Sequence, residues 1–246
     1  MSAKTTNQKE KTQAPLYTLT IKETVGSSFY PEYFVLTQSV QAVNLLNQLY
    51  WTQRKDKKGP SEQWEQDIYR AMLIFACAGL DVFLKRLIVL KLPTLIKVDE
   101  GIEKKFQEYV LSQMQRRGEL TMSTLALALI TEHPRKVFLE AYVESFTGGS
   151  LQSADELERL SHAFALPTKQ IIKGKRSKLD EAFKIRNSII HEMDINVQDN
   201  GARGRGYRTR QQRKYEELAG YSKLMFELSE EIFVACKEKF KSESSS

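Results

Sequence analysis

"AMLIFACAGLDVFLKRLIVLKL", Ala71 to Leu92, is the most hydrophobic run in the chain, and its reading decides the fold class. It is long enough to cross a bilayer, but Asp81, Lys85 and Arg86 interrupt it, so it reads as a buried helix with no membrane role. Its apolar residues cover nearly the whole helical circumference, which marks the central helix of a bundle. Asp81 is the only acid between Asp67 and Asp99 and sits among apolar neighbours. The pattern predicts a helix from about Ser61 to Leu92, stopped by Pro93.

The flanking sequence also reads as helices. On the N-terminal side, Pro31 opens a helical pattern through Tyr33, Phe34, Val40, Val43, Leu46 and Tyr50, and "RKDKKGPS" (Arg54–Ser61) is a charged linker. "YTLTIKETV" (Tyr17–Val25) alternates weakly, as a short strand or an extended arm would, and the polar residues before it are expected to be disordered. On the C-terminal side, "VDEGIEKKFQEYVLSQMQRR" (Val98–Arg117) is an amphipathic helix closed by Gly118. "TMSTLALALITE" and "RKVFLEAYVESF" are two shorter helices parted at His133–Pro134, and "SADELERLSHAFAL" is another, stopped by Pro167. Ser177 with Asp180 fits a capping box at the start of a further helix. Leu218, Tyr221, Met225, Leu228, Ile232 and Cys236 recur at helical spacing near the C-terminus. The fold class is therefore all-α. The division expected is an arm plus accessory helix over 1–60, a helical bundle over 61–241 and a disordered tail over 242–246.

Composition narrows the function classes. Of 246 residues, 41% are hydrophobic and 28% charged, as in an ordinary soluble globular protein, and the net charge of +6 suits a polyanionic partner only if the basic residues cluster. Cys77 and Cys236 both lie in apolar helical patterns and read as buried thiols of a reducing cytosol. "MSAKTTNQKEKTQ" has no apolar signal region, so a cytoplasmic location is expected. No G-x-S-x-G elbow or metal-ligand cluster is present, and "KGKRS" lacks the glycine spacing of a P-loop. No cofactor and no metal is expected. His133, before Pro134, reads as loop, and His162 as a core or surface histidine.

The candidate chemistry lies in "FKIRNSIIHEMDI" (Phe183–Ile195). At about 100° per residue, Leu179, Ala182, Phe183, Ile185, Ile189, Ile190 and Met193 form one apolar arc. Arg186 falls inside that arc, nearly in line with Leu179 and Ile190, whereas Glu181, Ser188 and Glu192 lie opposite. Asn187 and His191 are four apart at the edge of the arc, with Asp194 close by. A buried guanidinium is costly unless paired, so an Asp81–Arg186 ion pair is expected, structural or orienting an active-site arginine.

"RNSIIH" (Arg186–His191) resembles the motif of the HEPN superfamily, an arginine, a polar residue and a histidine on a late helix of a four-helix bundle. "YRAMLIFACAGLDVFLKRLIVLKLP" (Tyr69–Pro93) is similar to that family's early core helix, which carries an acidic residue where Asp81 stands. The resemblance covers roughly residues 62–240 and is greatest to the HEPN ribonucleases of bacterial defence and toxin systems. It implies a HEPN-like four-helix core with additional helices and metal-independent RNA cleavage to a 2′,3′-cyclic phosphate and a 5′-hydroxyl. It also implies a homodimer with a composite active site, and an antitoxin or activating partner protein. The chemistry of the residues agrees: His191 can move a proton at the ribose 2′-hydroxyl or the leaving oxygen, Arg186 can stabilise phosphate charge, and Asn187 can orient either.

Two basic tracts flank the motif helix and are candidates for RNA contact. Lys173, Lys175 and Arg176 precede it. Arg203, Arg205, Arg208, Arg210 and Arg213 follow in the glycine-rich "DNGARGRGYRTRQQRK" (Asp199–Lys214), where Tyr207 can stack on a base. Glycine alternating with arginine reads as a mobile loop that orders on nucleic acid. The alternative to the nuclease is a non-catalytic helical module that binds RNA or a partner protein, with Arg186 only structural.

Overall fold

The computed structural model describes residues 14–55, 57–115, 119–197 and 208–243. The fold is all-α: α1 (Tyr30–Arg54), α2 (Gln63–Val98), α3 (Glu100–Gln115), α4 (Glu119–Ile130), α5 (Pro134–Thr147), α6 (Ala154–Ala163), α7 (Thr168–Ile171), α8 (Arg176–Glu192) and α9 (Tyr215–Glu243). A short antiparallel pair, β1 (Ile195–Val197) and β2 (Arg208–Arg210), lies between α8 and α9 in the register Ile195↔Arg210. Among the described residues, no helix is long and apolar enough to cross a membrane.

As its all-round hydrophobicity requires, α2 is the axis of the bundle. Met72, Leu73, Cys77, Phe83, Leu84 and Ile88 are buried around about half of its circumference, against α1, α3, α5, α8 and α9, while Phe75, Val82 and Val89 on the remaining face are exposed. Its start is fixed by a reciprocal cap in which the Glu62 amide donates to Glu65 Oε2 at 2.7 Å and the Glu62 carboxylate accepts from the first turn. The expected stop at Pro93 is wrong: α2 continues to Val98 with Pro93 inside it. Proline removes one backbone hydrogen bond, but Leu95 and Ile96 are both buried beyond it, and their packing outweighs the lost bond.

The expected boundary near residue 60 does not divide the core. Phe29, Leu36, Val40, Val43 and Tyr50 of the N-terminal segment belong to the same buried cluster as α2 and α9. α1 and α2 approach so closely at Gly79 that a Cβ there would fall 2.5 Å from Ser39 Cβ. The segment before α1 is an extended arm, not a strand. Glu230 of α9 accepts from the Thr20 amide at 2.6 Å, the Ile21 amide at 3.0 Å and the Tyr17 hydroxyl, while Asn44 of α1 bonds both backbone groups of Tyr17.

α8 starts one residue before Ser177, so the expected Ser177–Asp180 capping box is absent. A 3-10 turn over Lys173–Lys175 runs directly into α8, which enters with Arg176 ion-paired to Asp155 and Glu158 of α6. The helix ends with two consecutive left-handed residues, Met193 at φ 53° and Asp194 at φ 56°, and the Asp194 amide closes back on the Ser188 carbonyl at 3.0 Å.

Candidate active site

Only one side of α8 faces the core: Leu179, Ala182, Phe183, Ile185 and Ile189 are buried, whereas Asn187 and His191 are exposed and Arg186 is half-buried. Asn187, Ser188, His191 and Lys184 line an open groove of about 750 Å³, walled by Gln152 on one side and by Gln211 and Arg213 on the other. Arg186 is not in its lining, but its Nη1 donates to Asn187 Oδ1 at 2.9 Å. Asn187 thus joins the arginine to the groove that holds His191. The apolar arc departs from expectation at its C-terminal end, where Ile190 and Met193 are exposed beside Arg186.

The expected Asp81–Arg186 pair does not form. Asp81 Oδ2 takes Lys85 Nζ at 2.9 Å, one turn along its own helix, and Asp81 Oδ1 accepts the Leu151 amide at 2.7 Å. Asp81 is therefore satisfied locally and ties the loop before α6 to α2. Arg186 lies one turn earlier, beside Cys77, whose thiol is pushed up to about 12 by burial against the opposing field of that guanidinium. Arg186 Nε is buried and has no hydrogen-bond partner among the described residues.

What holds the site together is a buried cluster that the sequence reading did not identify. Asp194, with no exposed surface, accepts Arg70 Nε of α2 at 3.0 Å and Arg213 Nε and Nη2 at 3.1 and 2.7 Å. Burial alone would raise the Asp194 carboxyl, but hydrogen bonds from Arg213 and Arg70 outweigh it and hold the group below the usual carboxylate range. Arg70 Nη2 also donates to the Gln211 carbonyl at 2.5 Å, and Tyr69 donates its hydroxyl proton to the Arg213 carbonyl at 2.7 Å. These contacts fasten the end of α8 and the base of the hairpin to α2. The signal available in sequence was small: Asp194 stands just past the last helical residue, and Arg70 is a cation in an apolar helix.

Four of the basic-tract side chains, Lys175, Arg176, Arg210 and Arg213, are paired within the fold. Arg210 forks onto Asp67, at 2.6 and 3.1 Å, and Arg213 is held by Asp194, so neither is the free RNA-facing cation expected. Lys175 pairs with Glu231, and Arg176 with Asp155 and Glu158, for the same reason: an acid on a neighbouring helix lies within reach. Lys173 is exposed. Arg208 opens β2, where the glycine-rich segment was expected to be loop throughout, and Arg203, Arg205 and Tyr207 lie outside the described residues. Lys184, absent from the sequence-based candidates, is the one basic side chain among the described groove residues with no ion pair beyond the motif histidine. It lies two turns before His191 on the same helical face. No protein-family model matches this chain, and neither does any curated protein or solved structure.

Proposed function

We propose that the protein is a HEPN-type endoribonuclease that cleaves RNA without a metal, through attack of the 2′-hydroxyl, and acts as a homodimer in a bacterial defence or toxin system. The observation that carries the reading is the link Arg186 Nη1–Asn187 Oδ1 at 2.9 Å, on a helix whose next turn presents His191 to an open groove. In this reading His191 takes the proton of the ribose 2′-hydroxyl or returns one to the 5′-oxygen as the P–O bond breaks. Asn187 fixes the direction of the Arg186 guanidinium, which stabilises the charge on the phosphate. Asp81 has no part in the chemistry, and Lys173 and Lys184 supply electrostatic attraction for the strand.

The dimer is supported by the apolar side chains left exposed around Arg186. Ile190 and Met193, one and two turns after Arg186 on α8, are uncovered. A second copy packed on this face would bring two motif helices together and enclose Arg186, whose Nε already lacks a partner. An antitoxin or activating protein would act by covering or completing the same face.

The test is cleavage of labelled RNA by wild-type and His191→Ala protein in the presence of a chelator. His191 is exposed, so the variant should fold as the wild type does and lose cleavage by at least a hundredfold. The wild-type product should carry a cyclic phosphate. If both proteins bind RNA and neither cuts it, the non-catalytic binding module is the better reading.

A further inference from the structure

α4 packs on α3 and α5 but leaves most of its apolar side chains uncovered. Of its side chains from Met122 to Ile130 only Ala128 is buried, while Met122 is 63% exposed, Leu127 52%, Leu129 78% and Ile130 83%. Leu111 and Met114, near the end of α3, which packs against α4, are exposed as well. From Leu120 to Thr131 there is no charged residue. Single exposed leucines are ordinary, but an apolar cluster of this extent is not. At roughly 180 Å² for a fully exposed large side chain, these six present on the order of 700 Å². That exceeds the ~300–600 Å² typical of a monomer's largest patch and approaches the ~800 Å² each partner buries in a standard interface.

The residues of this sequence outside the described structure are too polar to supply the cover. Residues 1–13 include one large apolar side chain, Met1, and residues 198–207 one aromatic, Tyr207; residues 116–118 and 244–246 include none. A lipid surface is disfavoured too, because helices that lie on membranes set lysines and arginines beside their apolar face, and α4 has neither. An uncharged helix meets its own copy without like-charge repulsion, and a two-fold contact needs only one self-complementary patch.

We propose that α4 is a self-association surface, on which the α4 helices of two copies pack across a two-fold axis with Leu127, Leu129 and Ile130 at the contact. This does not depend on the nuclease reading. α4 packs on α3 and α5, away from the groove on α8, so the surface is separate from the dimer face beside Arg186. With both faces occupied, copies join into assemblies larger than a dimer.

Sedimentation velocity over a wide concentration range reads the outcome. Wild-type protein should associate, and Leu127→Glu/Ile130→Glu should lose one association step, halving the largest species. A variant with the wild-type distribution at every concentration would overturn the proposal. Leu129→Cys gives a second readout in case the double variant folds poorly. Both native cysteines are buried, so mild oxidation should trap a disulfide-linked dimer through the new thiol. No cross-link at concentrations where the wild type associates would also overturn the idea, as would a wild-type chain that stays monomeric while co-sedimenting with phosphatidylcholine vesicles.

Discussion

Asp194→Asn removes the charge at the centre of the buried cluster while keeping the shape of the side chain, so its cost can be worked out from the contacts. The carboxylate accepts three hydrogen bonds from two guanidiniums. Asparagine keeps one acceptor oxygen, turns an N–H₂ group toward a donor, and leaves Arg70 without its buried counter-charge. Breaking a buried ion pair costs about 3–5 kcal/mol. Arg70, only 2% exposed in its side chain, retains Asp67 at 3.1 Å and the Gln211 carbonyl, which places the cost near 3 kcal/mol. For a chain of this length each kcal/mol lowers Tm by about 2–4 °C, so a drop of about 6–12 °C is expected at pH 7 by circular dichroism. The carboxyl is depressed in the folded state, so its stabilisation is present above the unfolded value near 4 and is lost as the pH falls through the folded one. The gap between wild type and variant should therefore be full at pH 6–7 and narrow below about pH 4. A variant that melts within a degree of wild type at pH 7, or a gap as wide in acid as at neutrality, would refute the reasoning.

Two further outcomes follow from single contacts. Gly79→Ala should destabilise the protein by about 1–3 kcal/mol, read as a lower urea midpoint at unchanged slope, because the new methyl meets Ser39 Cβ and not merely a rotatable hydroxyl. Lys184→Ala should raise KM for a short RNA about tenfold at most while kcat stays within about twofold, since Lys184 stands ~10 Å along the helix from His191, near a neighbouring phosphate and not the scissile one. A fall in kcat with KM unchanged would place Lys184 in the chemistry instead.

The helices were legible because each needs only its own periodicity: the apolar registers of α1, α2 and α9 appear in sequence as they do in space. What could not be read depended on contacts between distant segments. Pro93 is a local stop signal overridden by the burial of Leu95 and Ile96. The strand pair is three residues on each side, too short to declare itself beside glycine and arginine, and is secured by Asp67 and Asp194 from outside it. Asp81 shows the same limit at the site. A lone acid in an apolar helix needs a partner, but the sequence offers both Lys85, one turn away, and the remote Arg186, and only the packing of α8 beside Cys77 decides between them. That α4 is helical could be read, but that it lies uncovered could not.

The electrostatics of the groove set terms for any RNA that uses it. The net charge of +6 is not concentrated there: Asp180 and Glu181 lie at one end and Glu192 at the other, with Lys184 and His191 between them. From Asp180 to Glu192 the helix rises about 18 Å, a length that accommodates only a few nucleotides of extended strand before the phosphates meet carboxylates. Arg210 and Arg213 cannot offset those acids, because their charges are already matched by Asp67 and Asp194. If the proposed nuclease binds RNA through these described groove residues alone, binding should be short and weakly salt-dependent, with a slope of one or two contacts at about 0.7 each. Selectivity must then come from presenting an unpaired strand to His191 and not from broad attraction to the backbone. On the reading proposed above, that suits a nuclease that cuts exposed single-stranded segments, and it gives Asn187, which joins the arginine to the groove, a role that the paired Arg210 and Arg213 do not have.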